Sequence, residues 1–410
     1  MTLAFSMAID LFPLLAATLS ALLCGLLGNF LVLRRLSLMG DAISHAVLPG
    51  LVIAFIISSS RSSAAMLLGA GVAGIATVVL VELVKRLGRV EPGAAMGVVF
   101  SVLFALGVLL IENASVRGVD LDADCVLHGQ LETLALYDTV PPQVTTLAVM
   151  LIAATLFVAL FFKELRLAAF DPALATTQGF SATAMHYALM LFVAAATVAS
   201  FEAVGSILVI AMLICPAATA RLLTDRLLPQ ISVSIVAALL AANLGYFGAS
   251  WVPSILRAQG DVNAAGSITI AAGALLVAAL LFSPSHGVVA RAVQRSKMRR
   301  SIALDDLLAS LFRREESPLA LADAAPSRPV DAAIARGLIR RVAHGLELTD
   351  FGRQRAKDVV RRHRLWESYL VDRAGVSADH VHDTAERLEH LGVRPLEGPS
   401  IDPHGRQIPR

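Results

Sequence analysis

The stretch LSLMGDAISHAVLPGLVIAF (residues 36–55) decides how this chain is read. It is apolar enough for a bilayer, yet it carries Asp41 and His45. Residues at this spacing lie on one helical face, stacked a turn apart. A carboxylate and an imidazole are expensive in hydrocarbon unless they face a cavity or a partner. Two readings stay open. One is a packed polar pair between helices; the other is a donor set for a divalent transition metal, which carboxylate oxygen and imidazole nitrogen both suit.

Composition sets the class. With 410 residues, 56 % of them hydrophobic, and a mean hydropathy of +0.71, the chain cannot be one soluble core. The expectation is an all-α polytopic membrane protein with about nine spans. These fall at 11–33, 37–58, 64–86, 93–112, 143–163, 184–200, 203–222, 231–250 and 265–283. If the loop at 165–182 is cytoplasmic, alternation puts Arg34, Arg35, Lys85, Arg86, Arg89, Lys163, Arg166, Arg221 and Arg226 inside, against Arg61, Arg117 and Arg257 outside. That asymmetry satisfies the positive-inside rule, with the N-terminus outside and the C-terminus inside. No basic n-region of a cleavable signal precedes the first span. Cys24, Cys125 and Cys215 form no CxxC motif and read as inert.

From Arg291 onward the character changes. This part holds 22 of the 34 Lys and Arg and six of the ten His, and no further run long enough to span. It reads as a soluble cytoplasmic domain of mainly α-helical type behind a basic linker, RAVQRSKMRR, whose first role is contact with lipid headgroups. LALADAAPSRP (319–329) reads as a loop.

Two more membrane-half segments carry information. AAFDPALATTQGF (168–180) is a short amphipathic segment, with Asp171 and Pro172 starting a helix and Gly179 ending it. It is either a connector or a helix, with Phe170 beside it, that docks into a soluble partner's groove. In FEAVGSILVIAMLICPAATARLLTDRL (201–227), Pro216 is expected to break or kink the helix. Glu202 is either an interfacial carboxylate or a guide for incoming cations.

These stretches, in this order, resemble the permease subunits of ABC transporters for manganese, zinc and iron(II), over roughly residues 10 to 285. The resemblance implies an importer subunit in the cytoplasmic (inner) membrane of a bacterium. It implies a second permease copy or a paralogous permease, a cytoplasmic ATPase docked on Phe170, Asp171, Pro172 and Gly179, and an extracytoplasmic solute-binding protein. It also places the translocation-path metal contact on Asp41 and His45. A transported ion must leave as well as bind, so few protein ligands suit the role. The chain has no GxxxxGK[ST] phosphate loop, so it is not read as an enzyme and ATP acts only through the partner subunit.

In the tail, HRLWE (363–367) and DHVHDTAERLEH (379–390) place His363, Glu367, His382, Glu386, Glu389 and His390 at helical spacings. They form either one or two metal sites, or amphipathic helices with surface salt bridges. Histidine and carboxylate without cysteine favour manganese(II) or iron(II). Residues 348–391, followed by DPHGRQIP (402–409), resemble the metal-binding and dimerisation part of the diphtheria-toxin-repressor family. That resemblance makes the six residues regulatory metal ligands, and Glu386 in place of Cys favours manganese. Upstream, residues 303–350 resemble a degenerate winged helix, compressed around the recognition helix, with RRVAHGLELT as the wing. Asp306 falls on a ligand position and Ala309 on the next. The expected domains are therefore a permease at 1–290, a linker at 291–302, the winged-helix segment at 303–350 and the metal-binding part at 351–410. DNA binding is doubtful. Two functions compete: a manganese, zinc or iron importer permease with a metal-sensing tail, and a membrane-anchored metal-dependent transcriptional regulator.

Overall fold

The computed structural model describes residues 7–34, 36, 42, 46, 48–58, 63–116, 131–256, 262–316, 327–342, 345–390 and 400–409. The chain divides into two compact units, Met1–Ala290 and Arg291–Arg410.

The first unit is built from α1 (Met7–Leu33), α2 (Leu48–Ser58), α3 (Ser63–Gly88), α4 (Pro92–Val116), α5 (Pro142–Leu160), α6 (Phe162–Phe170), α7 (Pro172–Thr177), α8 (Ala182–Val204), α9 (Ser206–Leu223), α10 (Leu227–Leu256) and α11 (Ala264–Phe282). A 3-10 turn at Glu132–Leu136 precedes α5. Eight of these helices, α1, α3, α4, α5 and α8 to α11, are long and apolar enough to cross a bilayer. The shorter α2 is the described part of the span expected at 37–58.

Helix α1 is the axis of the unit, packing against α5, α8, α9 and α10. Its Ala17, Leu23, Leu27, Phe30 and Leu31 are almost fully enclosed. Between membrane helices the driving force is close packing, which small residues permit. Gly28 is the tightest point on α1: a Cβ there would sit 2.0 Å from the carbonyl oxygen of Leu213 on α9. A buried polar network joins α1 to α10. Gln230 donates to Asn29 Oδ1 at 3.2 Å, Asn29 donates to the Gly25 carbonyl at 2.7 Å, and Ser234 donates to the same carbonyl at 2.9 Å.

Three local expectations change. The break between α8 and α9 falls at Gly205, whose φ of 81° is accessible to glycine without strain, a few residues beyond the expected split. Helix α9 runs uninterrupted through Pro216, so the sharp break belongs to Gly205 and not to the proline. The expected single span at 143–163 ends at Phe161, and residues 168–170 close α6 before α7 begins.

The second unit contains most of α12 (Val288–Glu316), then α13 (Ser327–Ala335), β1 (Ile339–Val342), β2 (Gly345–Leu348), α14 (Asp350–Asp372) and α15 (His382–Leu388). The basic stretch 291–302 is helical, the opening turns of α12. Residues 327–329, expected in a loop, open α13. The two strands pair antiparallel, Ile339 opposite Leu348, forming the hairpin expected of a wing. Leu304, Leu308 and Phe312 of α12 pack with Ala333, Leu338, Leu348, Val359 and Val360 in one core. Thr349 caps α14 by accepting from the Gly352 amide at 3.1 Å.

The Gly28 contact generates a test. Gly28→Ala should destabilise the membrane unit by about 1–3 kcal/mol, as overpacking does. Gly97→Ala, where a Cβ would meet no described atom within 4 Å beyond its own helix backbone and chain neighbours, should be close to neutral. Thermal unfolding of the two variants in detergent measures the difference.

Candidate functional site

Asp41 and His45 lie outside the described residues. The segment expected to dock a partner is described in full. Phe161 leaves helical geometry and α6 runs to Phe170, which is exposed. Asp171 then caps α7, its carboxylate accepting from the Leu174 amide at 2.9 Å. Pro172 supplies the first helical φ, and Gly179 ends the turn at φ 85°. Lys163 lies 5.8 Å from the Phe180 ring centre, joining the two ends of the segment.

Ala168, Ala169 and Pro172 also line a cavity of about 450 Å³ whose charged and titratable groups are Arg34, Glu82, Lys85, Arg86 and His186. Glu82 accepts from Arg86 at 2.7 Å and Lys85 at 3.1 Å, with His186 Nε2 at 4.0 Å. Arg34 donates to His186 Nδ1 at 3.0 Å. Sequence reading registered these cations only as loop charges; the i, i+3 and i+4 spacing around Glu82 was the available signal. Glu202, near the end of α8, accepts from Gln143 at 3.4 Å.

The tail residues assemble from three helices. His363 and Glu367 sit on the same stripe of α14 as the core residues Ala356, Val359 and Val360, so the helix that buries its apolar face also buries the two donors. Both are only 3 % exposed. His363 Nδ1 lies 2.6 Å from Glu389 Oε2. A carboxylate only accepts, so in the neutral ring the hydrogen is on Nδ1 and Nε2 keeps its lone pair. That Nε2 is 3.1 Å from Glu367 Oε1 and 3.0 Å from His382 Nδ1, while His382 Nδ1 is 3.0 Å from Glu367 Oε1. The first cluster is thus His363, Glu367 and His382.

Asp306, Glu389 and His390 make a second. His390 Nε2 stands 3.1 Å from Asp306 Oδ1 and 3.3 Å from Glu389 Oε1. The two oxygens of Glu389 therefore face different clusters. Glu386 is exposed and belongs to neither triad, although its charge reaches Asp306. Helix α15 ends at Leu388, so of the four donors expected on one of its faces, His382 and Glu386 lie within it and Glu389 and His390 follow its end. Ala309 is buried in the core of the unit. Histidine and carboxylate donors at these separations suit a divalent transition ion, and they include no soft thiolate.

Burial works against a charged His363, but hydrogen bonds to Glu367 and Glu389 outweigh it and raise the imidazole above its ordinary value. Burial likewise opposes ionised Glu367, yet His363 and His382 hold that carboxyl down at about 2.

Comparison with known proteins agrees with both halves. Residues 11–283 match the model of the ABC 3 transport family, and residues 349–392 match that of the iron dependent repressor, metal binding and dimerisation domain. The zinc transport system membrane protein TroD of Treponema pallidum is 41 % identical over 298 residues, 71 % of this chain and 77 % of its own. The manganese transport system membrane protein MntD of Bacillus subtilis is 38 % identical over 289 residues, 68 % of this chain and 94 % of its own. Another manganese transport system membrane protein of that organism, MntC, is 28 % identical over 383 residues, so its match extends beyond the membrane unit. The solved structure of PsaBC from Streptococcus pneumoniae in complex with Fab aligns with a TM-score of 0.56 at 31 % identity, covering 67 % of this chain and 92 % of that one.

The tail clusters set a pH dependence. A histidine whose folded pKa is raised adds stability below its unfolded value and loses it as pH rises through the folded value. Without metal, unfolding of the tail should therefore move to lower temperature as pH rises from the ordinary histidine value through the raised one. An added ion takes the lone pair that the proton held, so its stabilising effect should grow over the same range. Trp366 fluorescence in a Trp251→Phe variant, with chelator or manganese present, reads both trends.

Proposed function

Since the chain belongs to the ABC 3 transport family, we propose that it is the membrane-spanning subunit of an importer of a divalent transition metal and that its own tail senses that metal. The carrying observation is the joining, in one chain, of a match to this family over residues 11–283 with two clusters of histidine and carboxylate. Relatives named for manganese and for zinc support the substrate class, and the carboxylate at Glu386 favours manganese over zinc or iron(II) as the tail's ligand.

In this reading the basic loops and the tail face the cytoplasm. Segment α6–α7 docks a separate ATPase, with Phe170 as the exposed apolar contact and the Asp171 cap and Gly179 turn fixing the helix that enters its groove. A solute-binding protein delivers the ion at the opposite face, and a second permease, identical or paralogous, completes the pathway. Asp41 and His45 contact the ion in transit, and Glu202 guides it inward. One carboxylate and one imidazole per subunit leave water in the coordination shell, so the ion departs when the pathway opens to the other side. His363, Glu367, His382, Glu389, His390 and Asp306, with Glu386 beside them, report internal metal. A tail that biases the transport states must in turn bind metal differently in each. The reading as an anchored transcriptional regulator does not account for the match over the whole membrane unit, nor for an intact α6–α7 segment.

Uptake of labelled manganese in cells carrying the complete system tests this function. Asp41→Ala or His45→Ala should abolish uptake with the protein still in the membrane, and deletion of residues 300–410 should remove the slowing of uptake as internal manganese rises. Retained uptake in the first variants, or an unaltered response in the second, defeats the corresponding assignment. Docking has a separate readout. Asp171→Ala combined with Gly179→Val should release the ATPase in co-purification, because the first removes the cap and the second forces a β-branched residue into left-handed geometry.

A further inference from the structure

The cavity beside α6 and α7 holds a charge without a matching counter-ion. Its described lining carries three fixed cations, Arg34, Lys85 and Arg86, against one carboxylate, Glu82. Glu82 is already engaged by the two cations of its own helix: Oε1 accepts from Arg86 at 2.7 Å and Oε2 from Lys85 at 3.1 Å. Arg34 is left with His186. Its Nη1 donates to His186 Nδ1 at 3.0 Å, which puts the hydrogen of the neutral ring on Nε2, 4.0 Å from Glu82.

The other edge of the guanidinium is different. Arg34 Nε and Nη2 are both buried, and neither has a hydrogen-bond partner among the described residues. These two nitrogens form the parallel fork with which arginine grips a carboxylate or a phosphate in bidentate fashion. A buried guanidinium left unpaired is costly, so the fork calls for an anion. The rest of the lining indicates what carries it. Leu36, Val78, Val81 and Met96 make part of the wall apolar. Arg34 follows the last residue of one candidate span, Ile9–Leu33, and Lys85 and Arg86 lie in the last turn of another, Leu68–Gly88. His186 lies in the opening turns of a third, Ala182–Val204. The cavity therefore sits at the depth of lipid headgroups, and in the orientation proposed above it faces the leaflet where anionic lipids gather.

Going beyond the transport reading, we propose that this cavity binds a phosphate group, carried by an anionic lipid or free in solution, with Arg34 Nε and Nη2 as its bidentate donors. Lys85 and Arg86 supply the surplus positive charge that Glu82 does not balance. When the phosphate belongs to a lipid, the apolar wall receives the glycerol and the first acyl carbons. Ala168, Ala169 and Pro172 line the same cavity, so the occupant abuts the α6–α7 segment.

Phosphatidylglycerol, phosphatidylcholine and inorganic phosphate are the probes, added to the full chain after delipidation in detergent. Native mass spectrometry follows the lipids. Phosphatidylglycerol should bind at least about tenfold more tightly than phosphatidylcholine, whose choline the surplus cations repel. Arg34→Gln should weaken phosphatidylglycerol by at least about tenfold, the worth of one charge-assisted hydrogen bond. Glu82→Gln, which releases Lys85 and Arg86, should strengthen it, a gain that misfolding cannot mimic. Arg89→Gln, which removes an exposed cation outside the lining, should leave it unchanged. The basic linker at 291–302 is the same in every variant, so the differences report the cavity. Inorganic phosphate, read by a rise in unfolding temperature, distinguishes the sources. A rise that Arg34→Gln removes assigns the site to free phosphate, and selective lipid binding without it assigns the site to a headgroup. Absence of both, equal affinity in Arg34→Gln, an equal loss in Arg89→Gln, or weaker binding in folded Glu82→Gln overturns the proposal. None of these readouts depends on metal transport or on which way the chain faces, so the transport reading stands or falls separately.

Discussion

A backbone amide in hydrocarbon has no water to bond with, and the membrane unit follows from that constraint. Each long apolar run becomes a helix because the helix satisfies its own peptide groups. What remains to be decided is how the helices meet, and there the hydrophobic effect gives no direction, since lipid is as apolar as leucine. Contact geometry takes over. Gly28 lets α1 approach the α9 backbone, and the Asn29, Gln230 and Ser234 bonds fix α1 against α10 in one register. With its axis set in this way, the unit can hold the irregular pieces, the Gly205 break and the Phe161 turn, at fixed places.

Much of this was legible from the chain, and the failures have physical reasons. Apolar runs of sufficient length announced the spans. The turn at Phe161 did not announce itself, because FFKE contains neither glycine nor proline. Of the break or kink expected at Pro216, the break does not occur: the proline removes one hydrogen bond donor, and α9 continues through it. In the tail, the spacing of His363 and Glu367 was informative because both sit on one helix. Sorting six donors into two groups was beyond the sequence, since it depends on how α15 crosses α14 and on α15 ending at Leu388. Asp306 comes from a distant helix and has no spacing signal; resemblance alone pointed to it.

Burial and chemistry share the same stripe in α14. His363, Arg364 and Glu367 occupy positions that a simple amphipathic helix would fill with leucine. They are tolerated because each is matched: the imidazole by two carboxylates, the guanidinium by Glu316, Asp402 and a carbonyl. Core and site therefore form together, and a folded tail already has its donors in place.

Glu389 gives the tail one more property. One oxygen orients His363 and the other faces His390, so a single carboxylate serves both clusters. An ion drawn to the His390 side polarises that carboxylate and alters the basicity of the His363 ring behind it. Filling one cluster would thus change the affinity of the other, and by linkage the effect would be mutual. If both clusters hold ions, their binding is coupled in this way, with a Hill coefficient that departs from unity. The tail would then act over a narrower band of internal concentration than two independent sites of the same strength if the coupling is positive, and over a wider band if it is negative.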